Sequence, residues 1–144
     1  MNKVVVKNLE GTTFVSHGSS NHWVVTDGTK EHGGSDAGNR PIELFLISLG
    51  GCTGADITSL LHKMRVNFNK FEIHIEADRA AEHPKVYTRI NLIYKLWGDG
   101  LLAQKEKIEK AIDLSQNKYC SVSAMIKAAK IPLHYSLELS DKKR

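Results

Sequence analysis

Two cysteines carry the reactive chemistry available to this chain. Cys52 follows Gly50-Gly51 at the end of an apolar run, in ELFLISLGGCTG (43–54). Cys120 lies in NKYCSVSAMI (117–126), where Ser121 is a candidate N-cap and Met125, Ile126 and Ala129 mark a helix beyond it. A thiol at a helix N-terminus meets unpaired N–H groups and the positive end of the dipole, which favour the thiolate. On a continuous helix Cys52 shares an accessible face with Ser48, Asp56, Ser59 and Lys63, and Asp56, one turn on, opposes ionisation of the thiol. The competing reading for either residue is a small buried hydrophobe. Their separation excludes a C-x-x-C redox motif. They meet only if the fold brings the central helix against the segment that follows the second helix.

Other constellations are weaker. Seven histidines are present, but none has H-E-x-x-H spacing. His17 and His22 flank one turn and could approach each other; no metal is expected. Gly33-Gly34 and Gly50-Gly51 do not make a phosphate loop. Glu31, His32 and Asp36 read as solvated. Trp23, Tyr87, Trp97 and Tyr119 default to packing, with Phe45 and Tyr119 as candidates for an apolar pocket near the thiols.

These residues need positioning elements. KVVVK, TTFVSH and HWVVT read as three short strands of an antiparallel meander, separated by turns at NLEG (8–11) and GSSN (18–21). Residues 27–40 form a glycine-rich exposed loop, long enough to suggest function or an interface. Pro41 suits the first turn of a central helix over 41–65. Ile42 to Leu49 is apolar nearly all round, which implies burial on most sides. Gly50-Gly51 suggests a kink or a close backbone contact. Ile57, Leu60, Leu61 and Met64 then form a core stripe. Residues 71–78 and 86–97 alternate as two long antiparallel strands, the second with Val86, Ile90, Leu92, Tyr94 and Leu96 on one face. A helix over about 103–117, with Ile108, Ala111, Ile112 and Ser115 as a narrow stripe, a second over 122–130 and a final strand complete an α+β fold, read as a single domain over 1–144. Its parts are the meander and loop (1–40), the central helix, the β-hairpin (71–97), and two helices with the last strand (101–139).

The totals bound the function. The chain has 144 residues, 41% hydrophobic and 25% charged, as in a water-soluble globular protein. Net charge is +4, but only DKKR (141–144) clusters it, so nucleic acid is not an expected partner. No run approaches the ~18 apolar residues of a membrane span, and the start does not resemble a signal peptide. A cytoplasmic location is expected, where two cysteines are not a structural disulfide framework.

RPIELFLISLGGCTGADITSLLHKMR and NKYCSVSAMIKAAKIPLHYSLEL together resemble the OsmC/Ohr family of osmotically induced and organic hydroperoxide resistance proteins, with a P-x-E-L helix start, G-G-C in mid-helix and Y-C-x-x-S at the second thiol. The residues after Cys52 look closer to its OsmC-like branch. The resemblance implies an intertwined homodimer, with antiparallel sheets wrapped around paired central helices and sites at the subunit interface. It implies a thiol peroxidase in which Cys52 attacks an organic hydroperoxide and Cys120 resolves the sulfenic acid as a disulfide. A dithiol such as a reduced lipoyl group would restore the thiols, with no metal or organic cofactor. Family peroxidases pair a Glu directly after the proline with an Arg from the N-terminal strands. Here Ile42 takes the first position, Glu43 is the carboxylate candidate, and Arg40 is the candidate cation, with His17 and His22 behind it, because no Arg precedes it. The alternative is a non-peroxidatic member that binds a small apolar or thiol-bearing ligand at the dimer interface.

Overall fold

β-Branched runs separated by turn residues build the N-terminal strands: β1 (Val4–Glu10), β2 (Thr13–Gly18) and β3 (Trp23–Thr26), an antiparallel sheet in the order β1-β2-β3. The computed structural model describes residues 1–141; Lys142, Lys143 and Arg144, most of the basic tail, lie outside the described residues. The chain divides into two compact units, Met1–Ile47 and the residues from Ser48 on.

In the first unit β1 runs three residues past its sequence-based end, through Asn8, Leu9 and Glu10. A register shift between Asn8 and Glu10 absorbs the extra residue. Gly11 makes the turn at φ 52, and a Cβ there would stand 2.8 Å from the Gly33 carbonyl oxygen, so glycine is required on two counts. The glycine-rich loop is less open than its composition suggests, because Asp27 is 1% exposed and organises it. The Asp27 carboxylate accepts from the Thr12 and Thr13 hydroxyls (2.8 and 3.0 Å) and from the N–H groups of Ser35 (2.9 Å) and Ala37 (3.1 Å). Asp36, read as solvated, pairs with Arg40. The Arg40 guanidinium also donates to the carbonyls of Asp27, Gly28 and Gly38.

Burial opposes ionisation of Asp27, but the Ala37 and Ser35 amides and the two threonine hydroxyls outweigh it and hold the carboxyl far below the usual range. A depressed folded-state pKa contributes stability above the unfolded value of about 3.9 and loses it as pH falls below that value. Limited proteolysis of the loop is therefore expected only below about pH 4 in the wild type. Asp27→Ala should be cut there already at neutral pH.

Helix α1 (Pro41–Lys63) starts with a reciprocal cap. The Glu43 carboxylate accepts the Arg40 N–H at 2.8 Å, and the Glu43 N–H donates to the Arg40 carbonyl at 2.9 Å. The helix is continuous through Gly50-Gly51, and of the two expectations for these glycines a close contact is seen at Gly50. A Cβ on Gly50 would stand 3.1 Å from Ile75 Cδ1, and one on Gly54 would stand 3.1 Å from Ile73 Cδ1. Glycine at these positions, one turn apart, lets the helix lie close on the sheet. A Cβ on Gly51 would meet nothing within 4 Å.

Burial of α1 also differs from expectation. Leu49, Thr53, Ile57 and Leu61 are its buried residues, whereas Leu60 and Met64 are half-buried and Ile47 is 54% exposed. One row every fourth residue enters the core of the chain, and the apolar run before it is left partly uncovered. By length and composition α1 (23 residues, with an 18-residue window of mean hydropathy 1.5) would suffice to cross a membrane, but its buried row is committed to a protein core.

The second unit holds β4 (Lys70–Arg79), β5 (Tyr87–Trp97), α2 (Lys105–Leu114), α3 (Ser121–Ala128) and β6 (Leu133–Ser140). Sheet order is β4-β5-β6; β4 pairs antiparallel with β5, and β6 pairs parallel with β5. A parallel neighbour needs a crossover, and α2 and α3 provide it. Ile90, Leu92, Tyr94 and Leu96 of β5 are buried as expected. Val86 is not: it lies outside the strand, 52% exposed, and Tyr87 is buried in its place, beside a register shift at Asp78/Arg79. Ile108, Ala111, Ile112 and Ser115 form the expected stripe, though α2 is shorter than expected and ends in a π-helical turn over Ser115–Tyr119.

Candidate active site

The π-helical turn sets the position of the second thiol. Its wider backbone closes with the Cys120 N–H on the Ser115 carbonyl (2.9 Å), after which Cys120 turns to φ −70, ψ 104 and α3 begins. Cys120 itself is therefore the N-cap, one residue earlier than Ser121, and its sulfur accepts the Ser123 N–H at 3.4 Å. Cys120 is 3% exposed, and Cys52, on α1, is half-buried. Both are free thiols. The two sulfurs and an Asp56 carboxylate oxygen all lie within 4.8 Å of one another.

The thiols differ in what they are given. Burial opposes ionisation of Cys52, and the Asp56 charge adds to that. Hydrogen bonds donated by the Cys120 thiol, the Val122 N–H and the Ser121 hydroxyl prevail and lower its pKa. Burial pushes the Cys120 thiol up, and neighbouring Cys52 pushes it further against the Ser123 N–H. From the residues alone the helix start favours a thiolate at Cys120, whereas the resemblance implies Cys52 as the attacking thiol. The structure turns donors at that helix start towards Cys52, with Cys120 as the protonated partner.

Behind the thiols runs a buried polar chain. Thr53, 0% exposed, is hydrogen-bonded to Tyr94 Oη (2.9 Å) and Ser115 Oγ (2.9 Å), and Gln116 Nε2 donates to Thr53 Oγ1 (3.0 Å) and Tyr94 Oη (2.7 Å). Ser115 Oγ donates to Asp56 Oδ2 at 3.2 Å. Because an ionised carboxylate only accepts, the protons can be placed: Ser115 gives its proton to Asp56, Thr53 gives its own to Ser115, and Tyr94 gives its own to Thr53. Asp56 is thus fixed from the core outward. Thr53 and Gln116 were missed by sequence reasoning. Thr53 falls on the i+4 row between Leu49 and Ile57, which was the available signal; Gln116 gave none.

Two hollows open beside the site. One of about 180 Å³ is lined by Asp56, Ser59, Leu60, Lys63 and Tyr119. It lies along the polar face of α1 read from the sequence. The other, about 330 Å³, is lined by residues including Gln116, Tyr119, Cys120, Ser121 and Ala124. Tyr119, 50% exposed, borders both. Phe45, Arg40 and Glu43 belong to the first unit, where Arg40 ties down the loop and Glu43 caps α1. His17 packs on Trp23 with ring centroids 4.4 Å apart. Among the described residues the cluster with metal-ligand chemistry is Cys52, Asp56 and Cys120, not the histidines.

The family model described as OsmC-like protein matches residues 33–136. Protein YhfA of Escherichia coli (strain K12) is 35% identical over 124 residues, which cover 86% of this chain and 88% of that protein. A hypothetical protein from Aquifex aeolicus VF5 superposes with TM-score 0.81 at 30% identity, over 99% of this chain and 98% of that one. An organic hydroperoxide resistance protein OsmC from Legionella pneumophila has the same fold at 14% identity, with TM-score 0.62 over 97% and 96% of the two chains.

Proposed function

The chain belongs to the OsmC-like protein family, and from that premise we propose that it is a cysteine-based thiol peroxidase acting on organic hydroperoxides. The observation that carries the reading is the pair of unlike thiols, within 4.8 Å of each other, one supplied with hydrogen-bond donors and the other kept protonated. The Cys52 thiolate attacks the outer peroxide oxygen; the O–O bond breaks, the alkoxide takes a proton and leaves as alcohol, and Cys52 becomes a sulfenic acid. The Cys120 thiol displaces the hydroxyl, releasing water and forming the disulfide. An external dithiol, a lipoyl group for example, restores both thiols by exchange and is itself oxidised to its disulfide. No resident cofactor takes part in this scheme. The thiolate's hydrogen bonds come from the start of α3, while Arg40 and Glu43 secure the start of the helix that carries Cys52. Among the solved structures of this fold, three are named organic hydroperoxide resistance proteins, which supports the substrate class.

The test is single-turnover oxidation of the reduced protein with cumene hydroperoxide, followed by intact mass and free-thiol count. Loss of both thiols with the mass of one disulfide is expected. Two intact thiols after stoichiometric peroxide would leave the second reading, a protein that binds a small apolar or thiol-bearing ligand. The hollow of about 330 Å³ beside Cys120 favours that reading.

The working unit in this proposal is a cytoplasmic homodimer. β1 exposes Val4, Val5, Val6 and Leu9, α1 exposes Ile47, and Gly51 faces open space, an unusual amount of uncovered apolar surface. Light scattering should give the mass of two chains. On an isolated helix Gly51→Ala would stabilise by about 1 kcal/mol through helix propensity; Gly51→Leu in a helix-paired dimer should instead release monomers. A wild type that runs as one chain rejects the dimer.

A further inference from the structure

We propose that Cys52, Asp56 and Cys120 form a binding site for a thiophilic divalent cation, zinc in the first instance, with three protein ligands and an open fourth position. Two sulfurs and a carboxylate oxygen are a zinc donor set, and all three atoms lie within 4.8 Å of one another. Bonds of about 2.3 Å to sulfur and about 2.1 Å to oxygen at tetrahedral angles place such atoms roughly 3.6–3.8 Å apart, so side-chain rotation of about 1 Å closes the set.

Asp56 is the residue the peroxidase scheme leaves unexplained. A carboxylate beside a nucleophilic sulfur works against thiolate chemistry, yet it is an asset to a cation. It is also aimed: Ser115 Oγ donates to Asp56 Oδ2, and Ser115 is held by Thr53, which is held by Tyr94 and Gln116. Hydrogen bonds of this kind orient ligating carboxylates at metal centres. Two thiolates and a carboxylate around a divalent cation leave one net negative charge. The Val122 N–H and Ser121 hydroxyl, which already donate to the Cys52 sulfur, are placed to absorb it. Cys52 and Asp56 are only half-buried, which leaves room for water or an incoming ligand at the fourth position.

The proposal does not depend on the peroxidase reading, since capture needs only the reduced thiols. Metal-stripped, reduced full-length protein is titrated with zinc in competition with a chromophoric chelator, and in parallel with Co²⁺. One zinc per chain is expected, with a sulfur-to-cobalt charge-transfer band and the intense visible bands of a tetrahedral cobalt centre. Asp56→Asn and Ser115→Ala should each weaken zinc by at least about 10-fold, the lower end of the cost of losing an outer-shell partner. The zinc-loaded protein should keep both thiols through a cumene hydroperoxide challenge. The metal-free protein receives the same challenge: thiols that survive there reject the peroxidase and leave the zinc site standing. Zinc bound equally well by Asp56→Asn or by the Cys52→Ser/Cys120→Ser protein overturns the site. A wild-type cobalt spectrum without the sulfur band does so too, independently of whether any variant folds.

Discussion

Cys52→Ser is expected to abolish hydroperoxide consumption, whereas Cys120→Ser should consume one equivalent and stop. The two outcomes separate the roles of the thiols. A serine hydroxyl at 52 stays protonated at neutral pH and has no thiolate to attack the O–O bond, so no partial activity should survive. At 120 the loss falls after the attack: the sulfenic acid on Cys52 has no neighbouring thiol within reach, and the protein should gain the mass of a single oxygen. An added dithiol should slowly rescue turnover in Cys120→Ser and never in Cys52→Ser. If the two variants are equally inert, or if Cys120→Ser rather than Cys52→Ser abolishes the first turnover, the assignment of the roles is wrong.

Tyr94→Ala should destabilise the protein by about 3–5 kcal/mol, the range for deleting a buried aromatic ring. Tyr94 is 0% exposed and packs near Phe71 and Tyr135, with ring centroids 6.3 Å away in each case. Tyr94→Phe isolates the hydroxyl. It removes the first donor of the chain through Thr53 and Ser115 and should cost about 1 kcal/mol. Alkaline behaviour offers a sharper test. Burial raises the Tyr94 pKa to about 12, against the hydrogen bond donated by Gln116, while an unfolded tyrosine titrates near 10. The folded state therefore holds a proton that the unfolded chain gives up, so stability is full below about pH 10 and declines as pH rises towards 12. Urea unfolding over that range should show an alkaline loss of about 2–3 kcal/mol that Tyr94→Phe lacks. Equal slopes in the two proteins would mean that Tyr94 is not the group responsible.

Much of this architecture was legible in the sequence where one physical signal dominates. Alternation over 71–78 and 86–97 gave β4 and most of β5, and the i, i+3, i+4 spacing gave the α2 stripe with Ser115 in it. Signals failed where two competed. A hydrophobic period puts Thr53 on the buried row but does not show that its hydroxyl can be buried there, because that depends on partners from other elements, here Tyr94 and Gln116. Asp27 was hidden in the same way: the loop around it looks solvated until Ser35 and Ala37 turn their N–H groups inward. The parallel pairing of β6 with β5 was missed although the long helical connection between them permits it. Of the site itself, both cysteines and the unfavourable position of Asp56 could be read in advance. Which thiol receives the donors could not, because that depends on a π-helical turn that no local pattern announces.

The N-cap of α3 has a consequence for the oxidised protein. The Cys120 sulfur accepts the Ser123 N–H, and the same atom is the one that would bond to Cys52. A sulfur drawn into a disulfide leaves that amide behind, and the eight-residue helix loses the anchor of its first turn, a contact whose oxygen counterparts are worth about 1 kcal/mol. Oxidation would then register as fraying at the head of α3, readable by amide hydrogen exchange at Ser123. Refastening the helix would favour return to the dithiol, so the fold itself leans towards the reduced state.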